Sequence, residues 1–134
     1  MDETPALGEL LEAVRGFLAE AREELGGHRG FHALVAANVV DIARRELELA
    51  PAAEAAEAGR LRALLGRDGE PAELNRALCD AIREGHIAID DARLLEHLER
   101  TTLDRLAIDQ PAYSGARIAA EAGTAGNGED GPRR

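Results

Sequence analysis

Apolar residues recur along most of this chain at alternating steps of three and four, the spacing that places them on one face of an α-helix. Leu7, Leu11, Val14, Leu18, Ala21 and Leu25 follow that rhythm, and Leu10 and Phe17 widen the stripe. Thr4 suits the cap, Pro5 the first helical position and Gly26-Gly27 the end, so the spacing predicts a core-facing helix over residues 5–25. Phe31, Leu34, Val35, Ile42 and Leu49 cluster on one face of a second helix, Phe31 to Leu49, and Asn38 and Arg45 fall on the same face. Pro51 is expected to stop it and open a third, Ala52 to Leu65, anchored by Leu61, Leu64 and Leu65.

The segment from Gly66 to Glu70 reads as a turn, and Pro71 starts a fourth helix that carries Leu74, Leu78 and Ile82 to a stop at Gly85. A short extended connector at Ile87 to Ile89 precedes a fifth helix, capped by Asp90, with Asp91 suited to its positive end and Ile89 stapled to Leu94. Its expected inward residues are Leu94 or Leu95, Leu98, Thr102, Leu103 and Leu106, and it ends near Ile108 before Pro111. Tyr113 is the expected last ordered anchor. Beyond it, residues 114–134 are rich in Gly, Ala and charge, with too few large apolar side chains to offset the entropy of ordering. The prediction is an all-α fold: a compact bundle of about five helices in one domain over residues 1–113, with a disordered tail over 114–134.

Length and composition narrow what such a bundle does. A chain of 134 residues is long enough for one core. Its formal net charge of −10 repels the polyanionic backbone of nucleic acid, and aromatics at 2% supply no stacking platform for bases. The basic residues are all arginine, so Schiff-base chemistry on lysine is excluded. The single cysteine, Cys79, has no internal disulfide partner, and no leader-like or membrane-spanning run is present, which predicts a reduced, cytoplasmic setting.

Candidate chemistry is sparse. His28, His32, His86 and His97 lack the spacing of a zinc-protease helix, and none has a Glu three residues before it as a di-iron bundle requires. No metal or cofactor is expected, and the histidines read as surface or capping residues. Cys79, on the flank of the Leu74 and Leu78 stripe, reads as a buried, inert thiol. No nucleophile elbow, phosphate loop or complete catalytic motif is present. The polar pair on helix two stands out, because Asn38 and Arg45 share a face with large apolar residues and must find partners. Either they fix the register of neighbouring helices, Arg45 pairing with a carboxylate such as Glu46 or Glu73, or Arg29, His32, Asn38 and Arg45 together form a pocket for a carboxylate or phosphate near a helix start.

The stretch Phe31-His32-Ala33-Leu34-Val35-Ala36-Ala37-Asn38, with Arg45-Glu46-Leu47, Glu73-Leu74-Asn75 and Leu106-Ala107-Ile108-Asp109-Gln110-Pro111-Ala112-Tyr113, resembles a bacterial helical family of unknown function. Members are commonly encoded beside, or fused to, aminoglycoside-phosphotransferase-like kinases, with acyl-CoA dehydrogenases nearby. The resemblance implies an accessory role beside a phosphotransferase-like or acyl-CoA dehydrogenase-like protein and brings no catalytic residue. Two functions follow as expectations: a non-enzymatic module that docks on such a partner, or a small-molecule site for a carboxylate or phosphate at Arg29, His32, Asn38 and Arg45. The stripe of the first helix also leaves a homodimer open.

Overall fold

The computed structural model describes residues 6–113 and residue 115. It contains four α-helices, α1 (Leu7–Leu25), α2 (Gly27–Leu65), α3 (Pro71–Arg83) and α4 (Ala92–Asp109), and no strand among the described residues. The all-helical prediction holds, with four helices in place of five. The expected cap at Thr4 and Pro5, and the tail apart from residue 115, lie outside the described residues.

The missing boundary is at Pro51, which lies inside α2. Proline removes one intrahelical donor and crowds the carbonyl four residues back, at a cost of roughly 3 kcal/mol. Ala50, Ala52, Ala53, Ala55, Ala56 and Ala58 flank it, and alanine is the strongest helix former, so the helix continues through. The predicted loop after α1 also contracts. Gly26 and Gly27 take φ of 60° and 53°, a left-handed region open to glycine at little cost, and α2 starts at once.

The chain forms two compact units, Met1–Ala55 and Ala56–Arg134, and α2 contributes to both. In the first, α1 and the early part of α2 run antiparallel. Arg15 pairs with Asp41 at 3.2 Å and Arg44 with Glu12 at 4.0 Å, so residues later in one helix meet residues earlier in the other. Near the corner, Gly30 is buried, and a side chain there would meet the Arg22 carbonyl oxygen at 3.1 Å. The buried apolar side chains of this hairpin are Ala33 and Ala37. Small residues let the backbones approach, but they bury little apolar area. The expectation that α1 faces a core is corrected: it has no buried residue, and Leu11, Leu18 and Ala21 are only half-buried.

The second unit has a true core. Leu61 of α2, Leu74 and Leu78 of α3 and Leu94 of α4 form it, with Leu64, Leu65, Ile82 and Ile87 packed around them. Helix α3 ends as the sequence suggests near Gly85, where His86 and Gly85 N–H groups bond back to the Ala81 and Ile82 carbonyls. Residues 86–90 then turn, so the extended connector expected at Ile87 to Ile89 is not formed. The cap of α4 is Asp91, one residue later than expected, and its Oδ1 accepts from the N–H groups of Arg93 and Leu94. Ile89 is 77% exposed, so it makes no staple. Cys79 is exposed as well, which corrects its reading as a buried thiol.

Helix α4 is rotated relative to the expectation. Leu94, His97 and Ile108 are buried, while Leu95 and Leu98 are exposed. The apolar pattern favoured the Leu98, Thr102, Leu106 line. The observed inner line runs about 100° round the helix, through His97 and Thr101, because these polar groups find an internal partner in Arg60.

Candidate functional site

The four residues singled out on α2 do not converge. Arg29 and His32 line a cleft of about 590 Å³ in the first unit, opposite Phe17, Glu20 and Glu24 of α1. Asn38 and Arg45 are absent from its lining. At 100° per residue they stand roughly 120–180° round α2 from Arg29 and His32, so no single ligand on one side of the helix reaches all four. Asn38 is exposed, whereas Arg45 and Glu46 are half-buried and engaged in interactions. Glu20 and Glu24 also place two carboxylates beside the one arginine of the cleft, which opposes the binding of an anion.

A second polar constellation lies within the second unit. Arg60 of α2 donates from Nε to Nδ1 of His97 at 3.1 Å and from Nη2 to Oγ1 of Thr101 at 3.2 Å. His97 is 3% exposed. Burial is the largest cause holding its pKa below the ordinary 6.5; the Arg60 charge adds to it, and Glu57 opposes. A neutral imidazole that accepts at Nδ1 carries its proton on Nε2. His97 is therefore an acceptor that orients Arg60, and no group of three or more potential metal ligands is found among the described residues.

Beside this pair runs a groove of about 360 Å³ lined by Arg60, Arg93 and Arg100, with Glu96, and floored by Ala56, Ala63 and Leu64. Arg93, Glu96, His97 and Arg100 are successive neighbours at i, i+3, i+4 and i+7 on α4, so one helix face supplies most of the polar lining. Arg100 pairs with Glu96 at 3.2 Å, and Arg93 with Asp91 at a loose 3.9 Å. Sequence reasoning passed over Arg60, Arg93 and Arg100, and its reading of His97 as a surface or capping histidine is corrected, because the ring is buried against Arg60. The available signal was the pair of arginines seven residues apart on α4, but the third arginine comes from α2, and no local pattern announces that meeting.

The third feature is apolar. Leu7, Leu10, Val14 and Phe17 on α1 and Phe31, Val35 and Val39 on α2 are exposed, from 45% at Val35 to 68% at Phe17. Leu11 and Leu18, on the flank of the α1 stripe turned to α2, are half-buried, so α2 covers one edge of that stripe and leaves the other open. In the second unit, Leu98, Leu103, Leu106 and Tyr113 line a shallower apolar groove of about 390 Å³. No described helix is long and apolar enough to cross a membrane.

Compared with known proteins, residues 23–113 match the family model described as a domain of unknown function, DUF6285. No curated protein and no solved structure matches the chain. The matched stretch takes in the corner between α1 and α2 and the whole of α3 and α4.

Proposed function

The chain belongs to the DUF6285 family, and from the open apolar stripes of its first unit we propose that it is a helical interaction module that docks on a partner protein. One observation carries this reading. Among the described residues, ten of the fourteen exposed large apolar side chains belong to the helical hairpin, against two buried alanines there. Apolar surface in water is unfavourable by about 25 cal/mol per Å², so side chains in such numbers on two short stripes favour a cover.

Charge selects the kind of cover. Residues 6–55 carry nine carboxylates against five arginines, and Glu20 and Glu24 line the same cleft as the exposed Phe17. A second copy would bring the same acidic rim against this one. A partner whose apolar patch is rimmed by Lys or Arg is complementary. An aminoglycoside-phosphotransferase-like or acyl-CoA dehydrogenase-like protein is the partner we propose, on the strength of the resemblance already described.

Co-purification of the full chain from its own cells, followed by light scattering, tests this. A stoichiometric complex with such a protein, reconstituted from purified components and dissolved by Phe17→Glu or Val35→Glu in an otherwise folded chain, is the expected result. A monomer or a homodimer with no stoichiometric partner would overturn it.

A further inference from the structure

We propose that the groove formed by Arg60, Arg93 and Arg100 is a binding site for a dianionic phosphate ester of a small molecule, with a compact apolar portion resting on Ala56, Ala63 and Leu64. The site lies wholly within the second unit and does not depend on the docking surface of the first. Three guanidinium groups and one carboxylate line it, in a protein whose formal net charge is −10. Arginines in an acidic chain are ordinarily neutralised by abundant carboxylates. Arg60 is half-buried and has no ion pair among the described residues.

The partners of Arg60 are neutral acceptors. His97 Nδ1 and Thr101 Oγ1 take two of its five N–H donors and fix the plane of the guanidinium without cancelling its charge. That is the arrangement of a pre-oriented anion receptor: geometry determined by neutral hydrogen bonds, charge left available. Arg93 is only loosely held, because the Asp91 oxygen it approaches already accepts two backbone N–H groups at the α4 cap. Glu96 is the opposing charge, and Arg100 offsets it at 3.2 Å.

Size and charge choose the ligand class. The groove's 360 Å³ is near the low end for small-molecule sites, roughly 300–1,000 Å³. Three guanidinium groups less the one Glu96 carboxylate leave the lining a formal charge of +2, which a monocarboxylate only half balances, whereas a phosphate dianion with three acceptor oxygens balances it and addresses more than one fork at once. Extended polyanions such as nucleic acid meet the net negative field of the rest of the chain.

The Nε–H signals of arginine in a ¹⁵N-correlated NMR spectrum of the full chain read this out. Inorganic phosphate and glycerol 3-phosphate, titrated against sodium chloride at matched ionic strength, should give saturable shifts at Arg60, Arg93 and Arg100. Acetate should give much weaker ones. Arg60→Gln should weaken the apparent affinity by about tenfold or more, as loss of a charged, oriented donor does. Because Arg60 also supports His97, the solvent-facing double variant Arg93→Gln, Arg100→Gln provides the second arm, with circular dichroism to show that it is folded. Absence of saturable shifts, equal response to acetate, or undiminished binding in the folded double variant would overturn the assignment.

Discussion

His97 is the one histidine of the four that the fold removes from water, and its burial has a defined consequence for stability. Its folded pKa lies below the ordinary 6.5, chiefly because burial penalises the charged ring, with Arg60 adding repulsion. As pH falls through 6.5 the unfolded chain takes up a proton before the folded one does, so stability falls. The loss stops growing once pH drops below the folded pKa. Thermal melts from about pH 7.5 to about pH 5.5 should show a falling Tm whose slope is reduced in His97→Asn, which keeps an acceptor near Nδ1 but does not titrate. An identical slope in the variant would place the effect elsewhere. Leu61 makes the second residue-scale point: at 0% exposure it is central to the core of the second unit. Leu61→Ala should lower the unfolding free energy by about 2–5 kcal/mol in urea melts. The burial of Leu61, Leu74 and Leu78 was legible, because each sits where helical spacing and apolar character agree. That of His97 was not, since its partner Arg60 lies 37 residues away.

At the scale of the element, α2 is the informative case. A rule that ends helices at proline predicts two helices where one exists, because that rule weighs the lost donor and the ring clash at Pro51 without the alanines on either side. The missing hydrogen bond remains a cost. Pro51→Ala should therefore raise Tm and add about 1–3 kcal/mol to stability in denaturant melts, and a neutral or lowered Tm would show that the proline shape is needed where it stands. Helix α4 illustrates a subtler limit. Its existence and extent were readable, to within one residue at its start, from the expected cap at Asp90, from Pro111 and from the leucines between, while its rotation was not. Leucines are plentiful on two adjacent lines of that helix, and the packing of Leu94 in the core together with the docking of Arg60 on His97 and Thr101 selects the line that turns inward.

For the molecule as a whole, the two units differ in how their helices are held. Opening free energy follows buried apolar contact, and α1 buries no residue whereas α3 and α4 contribute Leu74, Leu78 and Leu94 to a core. In native-state hydrogen exchange of the isolated chain, amides of α1 should exchange well before those of α3 and α4. When the docking partner is added, protection should rise in α1 and in the first turns of α2. Uniform protection across all four helices in the free chain would mean that the hairpin needs no cover, and would weaken the docking reading with it.

The sequence by itself determined that the chain is helical, where most helices begin and end, and that Leu61, Leu74 and Leu78 are interior. Those properties follow from propensity, capping and period, which act over a few residues and are written in local order. The tertiary structure alone decided that α2 runs unbroken through Pro51, that the α1 stripe is covered on one edge only, and which candidate residues meet. Arg29 and His32 were separated from Asn38 and Arg45 because α2 starts at Gly27, ahead of the expected Phe31, and places all four on one helix at different angles. Arg60, Arg93 and Arg100 were brought together by two helices distant in the chain. Such a meeting depends on which faces pack, and packing is settled by the sum of many weak contacts that no local pattern encodes.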